Sequence, residues 1–132
     1  KAAQTAPIVT TADELEAYEI VRTICARSTL QVPVVYRDTS NWFTISAGTP
    51  RKWFMRLYFN QKRKSVITKI PLARATPLVP GFEIDNHPEG SRVYVNDPKD
   101  LARLLPLVLL AYEEEVKRKD NGGEDTDPTA ST

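Results

Sequence analysis

A chain of 132 residues with 41% apolar content and a formal net charge of +1 is long enough for one domain with a modest core and too short for two comfortable ones. Its single cysteine, Cys25, excludes an internal disulfide and reads as a small apolar side chain on a helix. The most apolar stretch, Leu104 to Ala111, is far too short to cross a bilayer, and no charged leader precedes an apolar run, so neither a membrane partner nor a secretion signal is expected.

Residues 1–9 are small and polar and read as a lead-in. A start at Lys1 rather than Met is expected of a piece of a longer chain. Thr11-Ala-Asp-Glu14 has the spacing of a capping box, in which the Thr oxygen accepts an amide hydrogen bond and the Glu reaches back to the cap. Leu15, Tyr18, Val21 and Cys25, with Ala17, Ile20 and Ile24, then recur at helical steps, which predicts a helix to about Arg27.

From Val32 the residues become β-branched, and Val32 to Arg37, Trp42 to Ala47, Lys52 to Phe59 and Ser65 to Ile70 read as short strands separated by turns. Together they predict an antiparallel meander. Six prolines and glycines between Pro71 and Gly90 predict a long loop over 71–90, with a last strand at Ser91 to Val95. Asp97-Pro98 starts a closing helix that runs towards Lys117 with a bend or break at Pro106. The acidic residues 120–132 have the composition of a disordered tail. The expected fold is therefore α+β over 10–119: N-terminal helix, four to five antiparallel strands, C-terminal helix.

The charge is unevenly placed. Thr39 to Phe82 contains Arg51, Lys52, Arg56, Lys62, Arg63, Lys64, Lys69 and Arg74 and no carboxylate. Strict alternation over the central strand sends Trp53, Met55, Leu57 and Phe59 to the core and leaves Phe54, Arg56 and Tyr58 on a mixed face that Trp42 would share. Rings interleaved with cations suit single-stranded nucleic acid, whose bases stack while its phosphates meet Lys and Arg. The expected binding set is Trp42, Arg51, Lys52, Phe54, Arg56, Tyr58, Lys62, Arg63 and Lys64. The bland alternative is that helices cover both faces and the turn lysines are simply solvated.

Catalytic signals are thin. His87 is the only histidine, and Asp85, His87 and Glu89 do not have the spacing of a closed metal site. Restriction-type nucleases hold magnesium with an acid near one strand and a second acid and a lysine on the next. Asp38 stands in the right order after a helix, but Arg56-Leu57-Tyr58 occupies the place of the second acid. A nuclease-like fold here would be a degenerate one, with no metal or cofactor of its own.

Several short tokens, Glu16 to Arg22, Tyr36-Arg-Asp-Thr39, Trp42-Phe43, Arg51-Lys52 and Arg56-Leu-Tyr-Phe-Asn60, resemble the C-terminal segment of a bacterial family of predicted type I or type IV restriction endonucleases. In those proteins a nuclease domain of the restriction-subunit type comes first. The resemblance covers about residues 9 to 70 and the closing helix more loosely. It departs in the longer loop from Leu72 to Gly90 and in the absence here of the upstream nuclease domain.

The resemblance implies a cytoplasmic bacterial restriction or phage-defence setting, DNA and the parent nuclease domain as partners, and a catalytic site outside these residues. It assigns no role to Arg37, Asp38, Thr39 or Asn60. Arg37 and Asp38 suit a buried structural pair as well as a DNA contact. The resulting expectation is a non-catalytic accessory domain that binds DNA, or single-stranded RNA or DNA, through the basic aromatic hairpin. The alternative is a docking or homo-oligomerisation module without nucleic-acid contact. Magnesium-dependent cleavage through Asp38 is the weakest reading.

Overall fold

The Thr11 capping box forms as its spacing predicts. In the computed structural model, which describes residues 10–39 and 42–118, the Thr11 hydroxyl accepts from Glu14 N at 3.1 Å and Glu14 Oε1 accepts from Thr11 N at 2.9 Å. Helix α1 (Ala12–Cys25) follows. It buries Ala17, Val21, Ile24 and Cys25, whereas Leu15, expected on the apolar side, is exposed. Burial pushes the Cys25 thiol up to about 12, which makes it a packing group rather than a nucleophile. The expected lead-in over 1–9 and the acidic tail over 120–132 lie outside the described residues.

Six antiparallel strands follow: β1 (Val34–Asp38), β2 (Phe43–Ala47), β3 (Trp53–Tyr58), β4 (Ser65–Thr68), β5 (Ile84–His87) and β6 (Gly90–Tyr94). They form one sheet in the order β1-β2-β3-β4-β6-β5. The architecture is α+β, as expected, with one strand more than the upper expectation. The extra strand comes from 71–90, which is structured rather than a loop. Its prolines punctuate a short helix α2 (Leu72–Ala75) and a 3-10 turn (Thr76–Leu78), and β5 then pairs with β6 through a hairpin. Gly90 is required there because a Cβ would lie 2.5 Å from the Thr68 carbonyl oxygen. Gly48, at φ +83° after β2, takes a turn conformation that side chains disfavour.

The closing segment breaks as the sequence suggests, though earlier than Pro106. A 3-10 helix (Pro98–Leu104) gives way to α3 (Leu105–Lys117). Pro106 therefore sits in the first turn of the new helix, where its missing N–H costs nothing. No helix among the described residues is long and apolar enough to cross a membrane.

The core lies between one face of the sheet and the helices. Ala17, Val21, Leu104, Leu107, Val108 and Tyr112 pack there against Phe43, Ile45, Met55, Leu57, Val66 and Val93. Tyr112 ties this layer to the chain after α1. Its hydroxyl accepts from Val32 N and donates to Val32 O, both at 2.8 Å.

Alternation fails at one point. Ile45 pairs with Met55 but Ser46 pairs with Trp53, so Phe54 is an extra residue in β3. Such a bulge turns two successive side chains towards one face. Phe54 joins Met55 in the core, 1% exposed, with its ring edge-on to Tyr112 at 5.5 Å. Trp53 turns to the opposite face. This corrects both sequence assignments: Trp53 is not a core residue, and Phe54 offers no ring to a ligand.

Candidate nucleic-acid interface

The face away from the helix layer is paved by its own side chains. Ile67 is 0% exposed yet belongs to no part of the helix-side core. It pairs with Arg56 on one side and Arg92 on the other, so long side chains from neighbouring strands cover it. The Arg56 guanidinium lies 4.7 Å from the Trp42 ring centroid and 4.0 Å from that of Trp53. Arg92 lies 5.4 Å from the Tyr58 ring, and Trp42 and Tyr58 meet at 5.9 Å. The Nε atoms of Arg56 and Arg92 are buried with no hydrogen-bond partner. Cation–π contacts brace both guanidiniums against rings, which restrains donors that are otherwise mobile.

Thr39 shows how the turn before β2 serves this face. Its hydroxyl accepts from Trp42 N at 3.2 Å and donates to Trp42 O at 2.9 Å, pinning the residue that carries the indole. Asp38 accepts from the Thr10 hydroxyl at 2.8 Å. Arg37 is exposed, so it is not half of a buried pair. Asn60 is exposed in the turn after β3.

The remaining basic residues do not form one patch. Arg51 and Lys52 belong to a 3-10 turn (Pro50–Lys52) at the start of β3, where Lys52 Nζ donates to the Arg118 carbonyl at 2.7 Å. Lys62, Arg63 and Lys64 lie in the turn at the other end of β3, with Lys62 and Arg63 exposed and Lys64 half-buried. Arg63 sits over the Tyr94 ring at 3.8 Å and pairs with Glu83.

The acid-free stretch is consequently not acid-free in space. Glu83 meets Arg63, Glu114 meets Arg74, and Glu115 accepts from Lys69 at 3.1 Å. Glu89 Oε2 lies 4.0 Å from Arg56 Nη1. Burial lowers the Lys69 ammonium pKa, with Glu115 opposing that shift, and Lys69 also covers Trp53 at 4.6 Å. Hydrogen bonding to Arg63 holds the Glu83 carboxyl below its ordinary value.

His87 adjoins the arginine row. Burial lowers its pKa first, and Arg92 and Arg56 lower it further against the opposing pull of Glu89. Its Nδ1 accepts from Glu89 N at 3.1 Å, and Asp85 accepts from the Tyr94 hydroxyl at 3.0 Å. These side chains are thus engaged locally. Among the described residues no three His, Cys, Asp or Glu side chains are grouped so that they could hold a metal ion.

The structure brings together Trp42, Arg56 and Tyr58 from the expected set, separates Arg51 and Lys52 from the Lys62–Lys64 turn, and removes Phe54. Sequence reasoning missed Trp53, Arg92, Tyr94 and Glu89. Arg92 and Tyr94 were accessible in principle, because they alternate with Val93 and Val95 in a short strand. No protein-family model, curated protein or solved structure matches the chain.

Proposed function

We propose that this chain is a non-catalytic domain that binds single-stranded nucleic acid on the face carrying Trp42, Trp53, Arg56, Tyr58 and Arg92. The observation that carries the reading is Arg56 held between two indoles on a sheet face opposite the helix layer. Flat rings and guanidiniums on a sheet stack unpaired bases, and Arg meets phosphate through donors that stay charged at any physiological pH. Duplex DNA keeps its bases stacked on each other and offers such a surface little beyond its phosphates. The restriction setting, with a nuclease domain in the same bacterial protein and DNA as the strand bound, rests on the sequence resemblance alone.

A second reading draws on the pairing of Arg56 with Glu89 and of Lys69, which covers the Trp53 ring, with Glu115. Half-buried Trp, Tyr and Arg with little net charge also suit a protein contact, so the same face would dock the parent nuclease or a second copy. A titration with single- and double-stranded oligonucleotides at 50 and 200 mM salt separates the two. The first reading expects preference for the single strand and a steep loss with salt. No binding at low salt would refute it and favour docking.

A further inference from the structure

We infer that the open face sorts a single-stranded ligand by row, with phosphates along Arg56 and Arg92, bases along Trp42, Tyr58 and Tyr94, and the ligand strand crossing the β-strands. The inference rests on the reading just given and adds the direction and length of the bound segment.

The register is the ground for it. Arg56, Ile67 and Arg92 are partners across β3, β4 and β6, so the two arginines are two strand spacings apart, about 10 Å. Tyr58, Ser65 and Tyr94 are partners one row further on, about 7 Å away along the strands. Trp42, in ring contact with Tyr58 at 5.9 Å, extends that row beyond β3. One row therefore carries cations and the next carries rings, two of which already have a guanidinium over one face, Arg63 on Tyr94 at 3.8 Å and Arg92 on Tyr58 at 5.4 Å. A ligand following β3 alone would meet Trp53, Arg56 and Tyr58 in mixed order, and would leave Arg92 and Tyr94 unused.

Arg56 and Arg92 are both braced by rings and both keep a buried Nε without a partner. A gap of about 10 Å is about three steps at the stacked rise of 3.4 Å per nucleotide, and fewer when bases unstack. The two arginines are thus about two to three linkages apart, and with the three rings of the next row the segment recognised is about three to four nucleotides. The carboxylates facing the arginine row are Glu89, 4.0 Å from Arg56, and Asp85, the register partner of Arg92. A phosphate at Arg56 takes the place of Glu89.

The test uses oligothymidylates of two to eight residues and, at the shortest length that binds fully and so sits in one register, singly substituted methylphosphonate forms of that oligomer on the unaltered protein. Affinity should rise steeply to about four nucleotides and then level, and neutralising one linkage at a time should weaken binding at two positions only. Arg92→Gln should remove one phosphate's share of the salt dependence, about 2.5-fold between 50 and 200 mM. Tyr94→Leu should weaken binding about tenfold with that dependence unchanged.

If every linkage matters equally, or Arg92→Gln and Tyr94→Leu both bind as the unaltered protein does, the row arrangement is wrong although the face still binds. If no oligonucleotide binds at 50 mM salt, the underlying reading fails with it. The methylphosphonate series decides the matter even where a variant unfolds.

Discussion

Replacing Phe54 and Trp53 separately by alanine tests the bulge on which the assignment of faces depends. Phe54 is 1% exposed with its ring against Tyr112, and truncating such a ring in a packed core costs about 3–5 kcal/mol. Trp53 is half-buried and touches Arg56 and Lys69 through its ring. Those contacts are worth about 0.5–1 kcal/mol each, so with the modest area lost Trp53→Ala should cost about 1–2 kcal/mol. In urea, where stability falls by roughly 2 kcal/mol per molar for a domain of this size, the midpoint should drop by about 2 M for Phe54→Ala and by less than about 1 M for Trp53→Ala. Equilibrium unfolding followed by circular dichroism reads both. A larger loss for Trp53→Ala than for Phe54→Ala would mean that β3 alternates without interruption, and the candidate interface would have to be redrawn around Phe54.

Glu89→Gln frees Arg56 from its carboxylate neighbour and should tighten oligonucleotide binding by about two- to threefold at low salt. Glu16→Gln, which removes the same charge from the α1 partner of Lys99, should not, and equal effects would reduce the result to net charge. Because His87 titrates below its ordinary 6.5 when folded, the unfolded chain takes up its proton first. Its contribution to stability is full above pH 6.5 and is lost as pH falls through the lowered folded value. The thermal midpoint should therefore decline between pH 7 and 5, above the range in which Glu83 and Glu114, both below their ordinary 4.5, protonate. His87→Asn should flatten that decline. Tyr112→Phe removes the partner of the part-buried Val32 N–H, from which the hydroxyl now accepts at 2.8 Å, and should cost about 1–2 kcal/mol in urea unfolding.

Local chemistry was enough for the sequence to determine much of this protein. The Thr11 cap, the buried run on α1, the three central hairpin strands and the break ahead of Pro106 depend on spacing and on what proline lacks, and each forms close to where its residues predict. The mixed character of the β3 surface was legible too, since Arg56 and Tyr58 alternate with Met55, Leu57 and Phe59.

Tertiary structure alone decided three things. A bulge adds one residue to a strand without marking the sequence, so the exchange of Trp53 and Phe54 between faces appeared only in the pairing of β2 with β3. The last strand was expected at Ser91 to Val95, but its partner β5 lies in a segment whose prolines mask it, and sheet register rather than chain proximity sets Arg92 and Tyr94 in the rows of Arg56 and Tyr58. The acid-free stretch from Thr39 to Phe82 gains its carboxylates from Glu83, Glu89, Glu114 and Glu115. Coulomb attraction depends on distance in space, and a charge count along the chain has no access to it.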